Sequence, residues 1–255
     1  MLDSRRSVAI LLSSLLSMYT QSSFASLAAC LFDWNLYRPM LALNLGPDFV
    51  KVGRAQTLTL LPPFQNHYTS ANASANVVDG GIFLGLERLI TDELYADFGI
   101  SGYADGQLTP KGDVWQFGLP EFSDLYYSYH IQHSRVMFTN KLLVSSLSFE
   151  GIHPYFSWEI GAAFNRASGY QETSLVDMAV PTAPFANHNQ ISFTWGVGVG
   201  LDYDINRHVR VGVGYQYADL GSASLGLTTA ETTTETLVLS NLYTNQVRAQ
   251  LTLLF

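Results

Sequence analysis

From residue 40 to the C-terminus the chain alternates apolar and polar side chains, one segment after another. The stretch ISFTWGVGVGLDYDI, residues 191–205, puts Ile191, Phe193, Trp195, Val197, Val199, Leu201, Tyr203 and Ile205 on one face. Ser192, Thr194, Gly196, Gly198, Gly200, Asp202 and Asp204 form the other. After Asn206-Arg207, the stretch HVRVGVGYQY sets Val209, Val211, Val213, Tyr215 and Tyr217 against His208, Arg210, Gly212, Gly214 and Gln216. A period of two marks a strand with one apolar side, and the short link between these two makes them a hairpin. The terminal NQVRAQLTLLF repeats the pattern, with Val247, Ala249, Leu251, Leu253 and Phe255 opposite Gln246, Arg248, Gln250 and Thr252; only Leu254 departs from it.

Five further segments alternate less cleanly: 40–50, 77–90, 94–103, 126–143 and 154–165. In the fourth, the alternation falters between Tyr126 and His133, which leaves the upper end of that strand open. The total is about eight strands, an even number. Their connections also alternate. Those near 91–93, 144–153 and 206–207 are short, whereas those near 53–76, 105–124, 167–189 and 219–238 are rich in Ser, Thr, Asn, Gly and Pro and far exceed ordinary hairpin loops. An up-and-down meander therefore places every long loop at one end and both termini, with the short turns, at the other.

Periodicity alone does not say which face is wet. In a soluble sandwich, the hairpin 191–217 would expose glycine at every second position, where glycine weakens a strand. In a narrow barrel those small residues fit the crowded interior. Alternation over about ten residues suffices to cross a bilayer at a tilt. The asymmetry of short turns and long loops is that of outer-membrane barrels, and only a closed barrel lets strands span lipid without an unpaired edge. The expected fold is an all-β, eight-stranded, antiparallel, up-and-down transmembrane β-barrel over residues 40–255.

Composition agrees with a chain that lives against lipid. Only 13% of the 255 residues are charged, equal to the aromatic share. The balance of 13 Lys+Arg against 21 Asp+Glu excludes the basic face of a nucleic-acid binder. The start, MLDSRRSVAILLSSLLSMYTQSSFAS, reads as a secretory leader over residues 1–25, basic, then apolar, then small, followed by a short periplasmic segment over 26–39. Cys30 is the one cysteine, so no intrachain disulfide forms; Leu27-Ala28-Ala29-Cys30 resembles a lipobox, but polar Gln21-Ser22-Ser23 separates it from the apolar run, and a free thiol is the favoured reading.

The inward parity carries the informative polar set: Glu87, Asp97, Glu159 and Asp202 with Arg135, Lys141, Arg210 and Arg248. Enclosed charges must pair or destabilise strongly. Eight strands leave an interior just wide enough for side chains, so the expectation is a salt-bridge network at similar heights in the lower lumen rather than a pore. The outward aromatics Phe156, Trp158, Phe193, Trp195, Tyr203, Tyr215, Tyr217 and Phe255 are candidates for the lipid interface, with Tyr203, Tyr217 and Phe255 at strand ends.

A terminal strand of alternating apolar residues ending in Phe255 resembles the signal that the barrel-assembly machinery recognises. The stretch FTWGVGVGLDYDINRHVRVGVGYQYADLG, residues 193–221, is similar to the penultimate hairpin of the OmpA-like outer-membrane β-barrel domain family. That resemblance implies a plugged lumen, outer-membrane lipid around the barrel, extracellular long loops, and a surface structural or adhesive role toward host or envelope components. From the residues themselves, neither a cofactor nor catalysis is expected. Two other readings stay open. One is a small solute pore. The other is a lipid A-modifying enzyme built on His130 and Ser134, which share a parity but lack a deacylase motif. The six histidines show no metal-ligand spacing, and Gly196, Gly198 and Gly200 precede no helix, so neither a metal nor a dinucleotide site is expected.

Overall fold

The structure is a computed structural model that describes residues 36–60, 63–71, 74–145, 151–228, 230 and 233–255. The expected leader and Cys30 lie outside the described residues. Among the described residues the strands are β1 (Tyr37–Lys51), β2 (Gln56–Thr59), β3 (Gln65–Tyr68), β4 (Ser74–Thr91), β5 (Leu94–Asp105), β6 (Lys111–Trp115), β7 (Ser123–Val144), β8 (Ile152–Ser174), β9 (His188–Asn206), β10 (Val209–Asp219), β11 (Ala223–Ser224), β12 (Val238–Leu239) and β13 (Tyr243–Leu254).

Eight of them close on themselves in the order β1-β4-β5-β7-β8-β9-β10-β13 and back to β1. First and last strands pair antiparallel, Leu43 opposite Leu251 and Leu45 opposite Ala249, so the sheet has no free edge within the ring. The chain is an eight-stranded, up-and-down, transmembrane β-barrel over Pro39–Phe255. No described helix is long and apolar enough to cross a membrane; the strands do so.

The outer surface states why. Leu43, Leu45, Ile82, Leu84, Ile100, Val136, Phe138, Phe156, Ile160, Val199, Leu201, Val213 and Leu251 are all exposed, whereas their neighbours Ala42, Phe83, Ser101, Met137, Glu159, Asp202 and Thr252 are buried. A belt of large apolar side chains on the outside of a closed cylinder is stable only against hydrocarbon. Leu254, the residue out of pattern, points inward with Met40, Ala42 and Phe83 in a small apolar cluster at the terminus end.

The strands run past the belt, and there the pattern reverses. β7 extends to Ser123, and its upper inward residues Leu125, Tyr127, Tyr129 and Ile131 are buried apolar groups, while Gln132 and Ser134 on the outside are exposed. β8 reaches Ser174, so the third long connection is only 175–187, shorter than the expected 167–189. Above the membrane the outside meets water and the interior must be dry. That change of surroundings is why the alternation fades between Tyr126 and His133.

The long connections are not structureless. β6 pairs with upper β7, β3 with β6 and β2 with β3, extending one wall of the barrel, and β11 pairs with β12. Leu58, Tyr68, Leu108, Val114, Phe185, Leu220, Leu225, Leu237 and Leu242, drawn from all four loops or their roots, bury against Tyr127, Tyr129, Ile131 and Tyr170 in one apolar core. Edge-to-face rings knit it together, Tyr68–Tyr127 at 5.5 Å and Tyr170–Phe185 at 4.9 Å between centroids. Burial in this core pushes the Tyr68 phenol above its usual range.

The reversal gives a direct expectation. Phe138→Arg, in the belt between Ile100 and Ile160, lowers stability by about 2–4 kcal/mol. Thr173→Arg, exposed on upper β8, changes it by less than about 0.5 kcal/mol. Urea unfolding in lipid vesicles measures both.

Candidate functional site: the paired lumen and its cap

Inward parity brings the charged residues into the barrel because each strand contributes every second side chain to the interior. Glu87, Asp97, Arg135, Lys141, Glu159, Asp202, Arg210 and Arg248 are all buried there. They do not share one height, which corrects that part of the expectation: the longer strands and their stagger around the ring separate them into two tiers.

The lower tier lies near the short turns. Arg210 is its hub, with Nη1 2.6 Å from Glu87 and 4.0 Å from Asp97, and Nε donating to Asp204 at 2.6 Å. His153 Nε2 meets the other Asp204 oxygen at 3.0 Å. Beside it, Lys141 Nζ donates to Asp202 at 2.5 Å and to Gln250 at 2.7 Å, and sits 3.8 Å from the centre of the Tyr155 ring.

The upper tier is built on two guanidiniums. Arg135 contacts Asp79 at 3.2 Å and Asp105 at 3.5 Å; Arg248 contacts Asp79 at 3.0 Å and Glu159 at 3.2 Å. Both guanidinium carbons lie within 4.5 Å of the Tyr103 ring centre. Gln246 accepts from Arg135 and Arg248 and donates to Asp48 at 2.8 Å, while Gln216 links Glu159 to Arg248. His133 tops the tier, bonded to Asn165 and 3.7 Å from Asp105.

Asp48, Asp79, Asp105, Asp204, Gln216 and Gln246 were not singled out from the sequence. Asp79 and Gln216 had the right parity and were there to be counted. Asp105 falls within the expected loop from 105, whereas β5 runs two residues past its expected end and carries it. Asp204 sits beside the turn, where parity alone does not tell lumen from solvent.

Tyr155 explains two of the inward glycines. Its ring lies across the backbone of β9 and β10, where a β-carbon on Gly200 or Gly214 would come within 2.6 Å or less of Tyr155 atoms. Between the tiers lies a cavity of about 50 Å³, lined by Phe83, Tyr103, Lys141, Tyr155, Glu159 and Arg248 among others. Sites for small molecules run to about 300 Å³ or more, so this volume holds a few waters and no solute.

Outside, Tyr203 and Phe255 lie at the short-turn end; Tyr203 pairs with Ile152, and the Phe255 amide donates to Pro39. At the long-loop end Tyr217 sits 6.1 Å from Trp195 and stacks on Tyr243 at 5.9 Å. Tyr215 donates to Asn245 just below. Phe193 is exposed farther along β9, and Phe156 and Trp158 lie within the belt, Trp158 edge-on to Phe138 at 6.2 Å.

His130 faces outward, its Nδ1 2.8 Å from Gln107 and 3.3 Å from Thr109; Ser134 is one turn of the pleat beyond Gln132 and exposed. Among the described residues no group of three or more His, Cys, Asp or Glu is placed to hold a metal ion.

No known family model matches the chain, and no curated protein matches it. Solved structures do. Neisserial surface protein A is similar at 14% identity and a TM-score of 0.39, over 86% of this chain and 97% of that one. The outer-membrane protease OmpT of Escherichia coli is similar at 10% identity and 0.44, over 86% and 97%. The attachment invasion locus protein of Yersinia pestis is similar at 9% identity and 0.32, over 85% and 98%.

Breaking the lattice is costly because the abandoned partner stays buried. Arg248→Ala, which strands Asp79 and Glu159, lowers stability by about 3–5 kcal/mol. Gly200→Ala, which crowds Tyr155, costs about 1–3 kcal/mol. Both are read as a lower temperature for loss of heat-modifiable gel migration.

Proposed function

We propose that the chain is an integral outer-membrane protein of a Gram-negative bacterium whose barrel is a sealed, non-enzymatic support and whose long-loop end binds partners. The long loops face outward, both termini face the periplasm, and the strand ending in Phe255 is the segment the assembly machinery engages. The observation that carries this reading is the state of the lumen. Two tiers of ion pairs cross it, a cavity of about 50 Å³ lies between them, and an apolar core closes the long-loop end. Chemistry or transport through the interior has no path; what the protein presents to its surroundings is the exterior of its cap.

The far tip of that cap supports a binding role. Phe64, Phe117 and Phe122 are all exposed, yet their rings meet edge to face at 5.8 Å, Phe64 to Phe117 and Phe117 to Phe122. Phe117 holds a left-handed backbone, φ 59°, an arrangement that costs energy for a side chain of this size and recurs at ligand clamps. Exposed Leu175, Val176 and Met178 begin next to this tip, since the Leu175 amide donates to Asp124. Exposed aromatic and aliphatic side chains beyond the lipid belt fit protein or surface contact. By contrast, His130 is engaged by Gln107 and Thr109.

Two measurements test the reading. Purified protein in planar bilayers should give no unitary conductance; reproducible single-channel steps would overturn the sealed lumen. Bacteria expressing Phe64→Ser/Phe117→Ser should attach to surfaces several-fold less than those with the parent chain at equal surface abundance; unchanged attachment removes the tip from the function.

A further inference from the structure

The outer wall has a second feature, independent of the lumen and of the distal tip. Where the apolar belt ends on the β5–β7–β8–β9 side, the register sets two rows of outward side chains one above the other. The lower row is Ala104–Ser134–Phe164–Ile191, given by the pairs Ala104 with Ser134, Ser134 with Phe164 and Phe164 with Ile191. The upper row is Gln132–Arg166–Asn189, from Gln132 with Arg166 and Arg166 with Asn189. The ladder between β5 and β7 stops at Ala104 and contact resumes only at the Leu108–Ile131 bridge, so Gln107 stands at the end of the upper row. Together these residues line a surface depression of about 610 Å³.

The fold itself decides what covers the lower row. Phe164 and Ile191 are 44% and 71% exposed and continue the belt of β8 and β9, so hydrocarbon lies against them. A lipid whose chains rest there carries its headgroup to the upper row. Arg166 is exposed and, among the described residues, has no carboxylate partner. The one acidic residue lining the depression, Asp105, has its side chain fully buried and turned to Arg135 and His133 inside the barrel. A guanidinium with no acid facing it, at the boundary of hydrocarbon and water, is suited to a two-pronged contact with phosphate. Gln132 and Asn189 supply amide donors and acceptors for the rest of a polar headgroup, and Gln107, its Nε2 on His130, offers its carbonyl oxygen.

From this placement we infer a binding site for one anionic, phosphate-bearing lipid of the leaflet at the long-loop end, with Phe164 and Ile191 against its chains and Arg166 on its phosphate. The depression is of the size of ordinary small-ligand sites. A neutral zwitterionic lipid brings an ammonium to the same arginine and is held less well.

The full barrel, reconstituted in nanodiscs of equal phosphatidylglycerol and phosphatidylcholine, is released into the gas phase and its retained lipids are identified by native mass spectrometry. The parent chain keeps phosphatidylglycerol in preference to phosphatidylcholine. Arg166→Gln lowers that retention about fivefold, the usual order for one basic side chain at an anionic lipid surface, and Arg166→Lys restores much of it. Lys111→Gln, elsewhere on the cap, leaves it unchanged. Equal retention by Arg166→Gln and the parent, or no preference between the two lipids, overturns the proposal. A second readout uses arginine modification by phenylglyoxal: phosphatidylglycerol protects Arg166, and millimolar inorganic phosphate without lipid does not. Equal protection by phosphate shows a free-anion site and overturns the lipid assignment.

Discussion

Backbone amides in hydrocarbon have no water to bond to, so every strand here must find a partner on both sides, and eight strands can do that only by closing into a ring. Closure at eight fixes a narrow interior. Once it is narrow, each polar side chain that enters loses water and must be met by another. The pairs formed by Arg210, Lys141, Arg135 and Arg248 are a consequence of that enclosure rather than an added stabilising device. Ion pairs in such surroundings gain little over a well-packed apolar filling, but losing one member is severe, which ties the strands that contribute them to each other. Arg248 on β13, Asp79 on β4 and Glu159 on β8 join walls that share no ladder.

Each long strand serves two solvents. β7 carries Phe138 outward and Lys141 inward within the membrane, then Gln132 outward and Ile131 inward above it. The backbone and its alternation are unchanged; only the chemistry assigned to each side is exchanged. The rows at Phe164 and Arg166 on β8 mark the same exchange two residues apart. Because the interior turns apolar at the long-loop end, the lumen is bounded by dry contacts there.

Much of this architecture was legible in the sequence. Strand positions, their number, the side that faces lipid and the end that carries the long loops follow from a period of two and from loop lengths. Parity also put eight charged residues inside. What it did not supply was depth, since a barrel staggers its strands and sequence offset from a turn is not height; hence one expected cluster is two tiers. Nor did it supply the cap. The residues that build it, such as Leu108, Leu220 and Leu225, are scattered singly through polar stretches, and no local period announces that they meet. Upper β7 looked irregular because a single rule was applied across a boundary where the rule changes sign. Asp105 was lost to the same cause, as a strand end judged by fading apolarity is judged too early. Leu254 is the instructive opposite: an exception to the pattern that was visible from the first and that marks a true inward contact.

The cap has one further implication. Side chains from all four connections share a single packed interior, so those segments are not independent appendages that can drift or be swapped one at a time. A change of length in the stretch bearing Leu225 and Leu237 is felt by Tyr68, and through it by Tyr127. Diversification at this surface is thereby confined to the outermost tips, whose side chains lie beyond the shared interior, while the bodies of the loops must vary in concert or not at all.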